Sequence, residues 1–140
     1  MIAHDSLRMA FSFVFLLVTA MTILISTVWV DNEKIAVGEY HALLMFATFG
    51  MMLMASGNDL VVIFLGLETL SIATYVMAGF RKSDLKSNES AMKYFILGSF
   101  ASAFLLYGMA LIYGATGSTN ITEIAARTAN ANFPALLLIG

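Results

Sequence analysis

Apolar residues run along this chain in long blocks separated by short polar stretches, and the block lengths define its elements. Residues 9–30 form an uncharged run, long enough for a helix to cross a bilayer and too long for a signal-peptide core. After a polar loop at 31–40, the apolar run over 41–56 spans only if its helix takes in Glu39 and Tyr40, so the second span is set at 39–56. Gly57, Asn58 and Asp59 make a tight turn, with Asn58 or Asp59 suited to cap the next helix. That helix, residues 60–80, reads LVVIFLGLETLSIATYVMAGF. A charged loop, RKSDLKSNES at 81–90, leads into a fourth span at 88–114. Ser87 or Asn88 is its expected cap, with Glu89 in the first turn facing the positive helix end and Lys93 just inside. Residues 115–132 are polar, and Asn120 to Glu123 predict the start of a short surface helix carrying Ile124 and Arg127. The apolar stretch at 134–140 reads as the start of a fifth helix, too short to span. The pattern predicts an all-α, polytopic transmembrane helix bundle: four full spans plus the start of a fifth, a single membrane domain cut from a longer protein.

Composition strengthens this picture. Of 140 residues, 60% are hydrophobic and only 11% charged, and the mean hydropathy of +0.88 is that of an integral membrane protein whose main surroundings are the lipid bilayer. A formal charge of -2 gives no basis for a nucleic-acid partner. There is no cysteine, which removes disulfides, thiolate metal sites and cysteine nucleophiles. Among the loop residues, Lys34, Arg81, Lys82 and Lys86 fall on one side against Arg8 and Arg127 on the other. The first side is therefore expected to be cytoplasmic and segment 115–132 external.

One ionisable residue lies deep in an apolar run. Glu68 sits roughly 12 Å from one end of its helix and 18 Å from the other, where an acid costs roughly 2.5 to 3.5 kcal/mol to insert. Desolvation disfavours its charged form, so a group that water or a cation must reach in order to ionise is placed to take up and release protons. Helical spacing puts Ser71 and Tyr75 on its face as hydrogen-bonding neighbours. Lys93 is the natural counterpart, but with a helix starting near Ser87 it lies only about 9 Å in and can snorkel to the headgroups. It is set about 9 Å from the level of Glu68, a gap expected to be closed by water. Its own face carries Leu97, Phe100 and Phe104, while Ala91, Gly98 and Ser102 lie opposite, where another helix can come close. Glu39, at the edge of the second span, is a candidate for gathering protons. Met45, Met51, Met52 and Met54 are packing residues rather than a metal site, because no His or Cys cluster accompanies them. His41 reads as an interfacial residue.

The run from Gly38 to Ile121 carries FLGLE at 64–68, YVMAGF at 75–80, ESAMKYFILG at 89–98 and LLYGMALIYGATG at 105–117. It closely resembles the antiporter-like subunit N family of the proton-pumping NADH:quinone oxidoreductase, respiratory complex I. The resemblance implies that Glu68 is the key membrane glutamate of these subunits, Lys93 a lysine on the next helix and Glu39 an acid at the start of the helix before. All three would take part in proton translocation coupled to quinone reduction. It also implies a parent fold of about fourteen helices built on inverted repeats, of which this chain holds the third to sixth. The expected activity is that of a subunit of a translocase with no redox catalysis of its own. NADH, FMN, iron–sulfur clusters and quinone would be bound by other subunits of the complex, and the other membrane subunits would be its partners. The implied location is the bacterial plasma (inner) membrane, with the mitochondrial inner membrane second. A subunit of a related multisubunit cation/proton antiporter or membrane-bound hydrogenase is the alternative. A small multidrug exporter fits less well, since its membrane glutamate lies in the first helix, and a purely structural module is the remaining reading.

Overall fold

The computed structural model describes residues 5–32, 36–129 and 140. Among these described residues five helices follow in chain order: α1 (Ser6–Asn32), α2 (Val37–Ser56), α3 (Leu60–Ala78), α4 (Leu85–Thr116) and the short α5 (Ile121–Ala129). The first four are long and apolar enough to cross a membrane, and no strand occurs among the described residues. The fold is all-α, and the protein is a multi-pass membrane protein. All but the last residue of the expected fifth apolar helix at 134–140, and the loop lysine Lys34, lie outside the described residues.

The boundary between α3 and α4 differs from the sequence expectation, for a reason visible in the hydrogen bonds. The cap of α4 is Asp84, whose Oδ1 accepts from the Lys86 N–H at 3.0 Å, so the helix starts at Leu85 rather than at 88. Ser87 and Asn88, the expected caps, instead reach back into the turn. Ser87 Oγ donates to the Ala78 carbonyl at 2.8 Å and Asn88 Nδ2 to the Lys82 carbonyl at 2.9 Å. The Ala78 carbonyl belongs to the last turn of α3 and has no partner within its own helix, so Ser87 satisfies an orphan of the helix before. Glu89 consequently lies beyond the first turn of α4.

Packing relies on close backbone approach, as expected where lipid removes the hydrophobic drive for helices to associate. The most extensive contact joins α2 to α3. At its centre a Cβ added to Gly50 would stand 2.6 Å from the Gly66 carbonyl oxygen, and one added to Gly66 would stand 2.8 Å from that of Gly50. The two backbones touch with no side chain between them. Between α3 and α4 the Tyr75 ring lies across Gly98, and Gly79 meets the Ala91 methyl. Gly98 and Ala91 thus form the face for close approach, as their spacing predicts. The contact of α1 with α2 includes a polar pair, Thr19 Oγ1 to Thr48 Oγ1 at 2.6 Å.

Each end of the bundle is tied in its own way. At one, Tyr40 of α2 packs against Trp29 of α1 and Phe80 after α3, with ring centroids 6.2 Å apart in both pairs, and the Arg81 guanidinium lies 5.9 Å from the Trp29 ring centre. At the other, the α2–α3 turn is bonded to the segment between α4 and α5. The Leu60 N–H donates to the Thr119 carbonyl, the Ile121 N–H to the Asn58 carbonyl, and Asn58 Nδ2 to Thr122 Oγ1. The segment can turn there because Gly117 takes a left-handed φ of 69°, at little cost without a Cβ.

Candidate functional site

α3 holds Glu68 in place from three directions. Asp59, only 3% exposed, caps the helix by accepting from the Val61 N–H at 3.0 Å through Oδ1, while its Oδ2 accepts from Thr119 Oγ1 at 3.0 Å. One carboxylate thus fixes the start of α3 and anchors it to a segment 60 residues away. The Gly50–Gly66 contact fixes the helix sideways, and the Tyr75–Gly98 contact sets its rotation against α4.

Glu68 lies two turns before Tyr75 on the same face, so it is directed toward the α4 side. Its Oε1 is buried and has no hydrogen-bond partner. The expected partnership with Tyr75 is not formed. The Tyr75 ring turns instead into α4, edge-on to Tyr94 at 4.8 Å and Phe95 at 5.8 Å between centroids, with its hydroxyl over Gly98. Leaving a buried polar atom unsatisfied costs about 1–3 kcal/mol, more if the group is charged. An acid in that position calls for a proton, a water or a partner from elsewhere.

Lys93 is not that partner. Its Nζ bonds Glu89 Oε1 at 2.5 Å, one turn away on α4, and its side chain is 70% exposed. Because Ala91 meets Gly79, Lys93 is level with about Met77, nine residues and about 14 Å along the axis from Glu68. The separation is larger than the sequence suggests, and Lys93 points from the face of α4 turned away from α3. Glu39 is exposed and lines a cleft of about 280 Å³ between α2 and the end of α3, together with Leu43, Phe46, Val76, Phe80 and Lys82. The three candidate residues therefore occupy three separate places: a rim, an interior and an outer face.

Sequence reading missed one residue with the same signature as Glu68. His41 Nε2 is buried without a partner, while its Nδ1 lies 2.7 Å from the Val37 carbonyl. One histidine near the end of an apolar run carries no signal of burial, so only the packing reveals it. Among the described residues no group of His, Asp and Glu side chains is placed to hold a metal ion.

Against known proteins, residues 57–140 match the family described as NADH:quinone oxidoreductase/Mrp antiporter, transmembrane. Subunit N of the NADH-quinone oxidoreductase of Trichlorobacter lovleyi is 50% identical over 121 residues, 86% of this chain and 25% of that protein. A subunit N of Koribacter versatilis is 50% identical over 125 residues, covering 89% and 24%. Subunit 2 of the NAD(P)H-quinone oxidoreductase of Gloeobacter violaceus is 41% identical over 134 residues, covering 95% and 26%. The chain spans about a quarter of the length of these curated relatives. Matched over more than half its length, and with four helices long and apolar enough to cross a membrane, the chain belongs to the NADH:quinone oxidoreductase/Mrp antiporter transmembrane family.

Proposed function

We propose that this chain is part of a membrane subunit of NADH:quinone oxidoreductase, and that Glu68 binds and releases protons on their way across the membrane. The observation that carries the reading is the buried, unpartnered Oε1 of Glu68 in mid-helix. A carboxyl oxygen left there without a hydrogen bond is open to a proton or a water brought to it, and acidic side chains inside membrane spans mark ion and proton paths. The names of the relatives support quinone reduction as the coupled reaction over the cation/proton antiporter alternative. NADH, FMN, iron–sulfur clusters and quinone belong, in this reading, to other subunits of a complex in a bacterial plasma membrane.

Glu39 has the second role, gathering protons at the rim of its cleft on the cytoplasmic side. Lys93 has the third, an outward-facing cation that other helices of the whole subunit would meet. The test is Glu68→Gln in the full complex, which keeps size and hydrogen bonding but removes the titrating group. A neutral amide is cheaper to bury than a carboxylate, so assembly is expected to survive. In membrane vesicles, electron transfer from NADH to an artificial acceptor should persist while proton pumping and coupled quinone reduction fall. Normal pumping in an assembled Glu68→Gln complex would refute the assignment.

A further inference from the structure

We propose that His41 is a second proton-exchanging residue, lying one step inward from Glu39 and opening onto a polar seam between α1 and α2. The inference rests on the reading of this chain as part of a proton-translocating subunit, and extends it to a residue and a helix pair outside the Glu68 site.

The Nδ1 contact to the Val37 carbonyl is a hydrogen bond only if Nδ1 carries the proton, because a carbonyl oxygen accepts and never donates. In the neutral ring this makes Nε2 the bare acceptor. The structure leaves that acceptor buried with no partner. Such an atom is an imidazole nitrogen ready to receive a proton, and both arrival and departure use Nε2 while Val37 holds the other nitrogen. Backbone anchoring of one ring nitrogen keeps the ring in a single tautomer and orientation.

Helical spacing shows where His41 stands. It lies seven residues from Thr48, hence on the same face of α2, and Thr48 Oγ1 meets Thr19 Oγ1 of α1 at 2.6 Å. In an antiparallel pair the residue of α1 level with His41 is then Ser26, seven residues from Thr19. Ser26 and Thr48 are both buried, which places two polar side chains inside an otherwise apolar contact. Thr19 and Thr48 also contact the carbonyls of Phe15 and Leu44, each at 2.8 Å. Two hydroxyls with one proton each therefore face three acceptor positions, and can reorient to pass a hydrogen bond either way. From His41 to Thr48 is about 10 Å along the axis, a length for roughly three bridging waters. Thr48 lies about 16 Å from the start of α2, and Glu68 about 15 Å from the end of α3 on the same side, so the seam reaches the depth of Glu68. Other ionisable groups near His41 are Glu39 and Tyr40 on its own helix, Asp31 at the end of α1, and Arg81 and Lys82 just past α3. Glu39 is the acid that would deliver a proton inward.

The experiment measures proton pumping by the full complex in membrane vesicles, per unit of artificial-acceptor electron transfer, for wild type, His41→Gln and His41→Ala. The proposal expects a loss of about a hundredfold or more in both variants, the contribution of a positioned proton-transferring side chain. It also expects a pumping profile against pH that changes shape in His41→Gln, and partial recovery of His41→Ala when imidazole is added. If His41→Gln does not assemble, His41→Asn, which keeps a donor for Val37, carries the same expectation. Wild-type pumping in an assembled variant overturns the proposal. So does a loss that leaves the pH profile unaltered and that imidazole does not relieve, since that is the mark of a packing role. Glu68→Gln, run in parallel, separates the two readings: loss there with normal His41 variants removes only His41 from the path, whereas normal pumping there with loss in the His41 variants removes Glu68.

Discussion

Replacing Gly50 by alanine puts one methyl group where the backbones of α2 and α3 touch, and the structure sets the size of the effect. The new Cβ would lie 2.6 Å from the Gly66 carbonyl oxygen and 2.7 Å from the Leu70 nitrogen. Ordinary contact begins at 3.4 Å, so the deficit is 0.7–0.8 Å against atoms that have no rotamer to change. The helices must separate by about that distance, loosening the most extensive contact in the bundle. Overpacking of this kind costs about 1–3 kcal/mol. Gly38→Ala supplies the control on the same helix, for nothing lies within 4 Å of its added methyl. There alanine should be neutral or stabilise by up to about 1 kcal/mol, the usual helix preference over glycine. The assay is the thermal midpoint of the detergent-solubilised complex, alongside the amount assembled in the membrane. Gly66→Ala should match Gly50→Ala, and the double variant should cost less than the sum, because one separation relieves both clashes. A Gly50→Ala complex as stable as wild type, or full additivity in the double variant, would refute the close-contact account.

Asp59→Ala removes a helix cap and a tether together and should lower stability by about 1–2 kcal/mol, more than Thr119→Val, which loses only the tether; equal effects in the same melting assay would count against the double role. In the naturally cysteine-free chain, Ala125→Cys should react with an impermeant thiol reagent on intact cells and Ser83→Cys should not; the reverse pattern inverts the topology. Both positions are exposed, whereas Thr119 is tied to Asp59 and makes a poor reporter. Lys93→Ala breaks only an exposed pair with Glu89, so stability should change by under about 0.5 kcal/mol, and a fall in pumping without a fall in stability would place Lys93 on the proton path.

The four long helices are legible in the sequence because lipid demands uninterrupted apolar runs, and the polar stretches between them admit few other readings. The start of α4 is less legible for a physical reason. Asp84, Ser87 and Asn88 are all good caps within five positions, and the choice depends on which of them the end of α3 needs for its own carbonyls. Glu68 stands out as an acid in an apolar run, whereas its lack of a partner does not, because Tyr75 shares its face yet turns into α4. His41 shows the limit most clearly, since its signal is the burial of one nitrogen atom. For Lys93 the offset from the level of Glu68 is legible in the sequence, whereas its exposed face and its bond to Glu89 are not.

The hydrogen bonds joining Asn58, Asp59 and Leu60 to Thr119, Ile121 and Thr122 fasten one end of α3 to the segment after α4, and the bond from Ser87 to the Ala78 carbonyl fastens the other end of α3 to the start of α4. Fastened at both ends, the two helices resist sliding and splaying alike, and form one unit about 28 Å long. A load applied to either end of the pair is therefore shared by both helices, and Glu68 sits midway along the member that carries it.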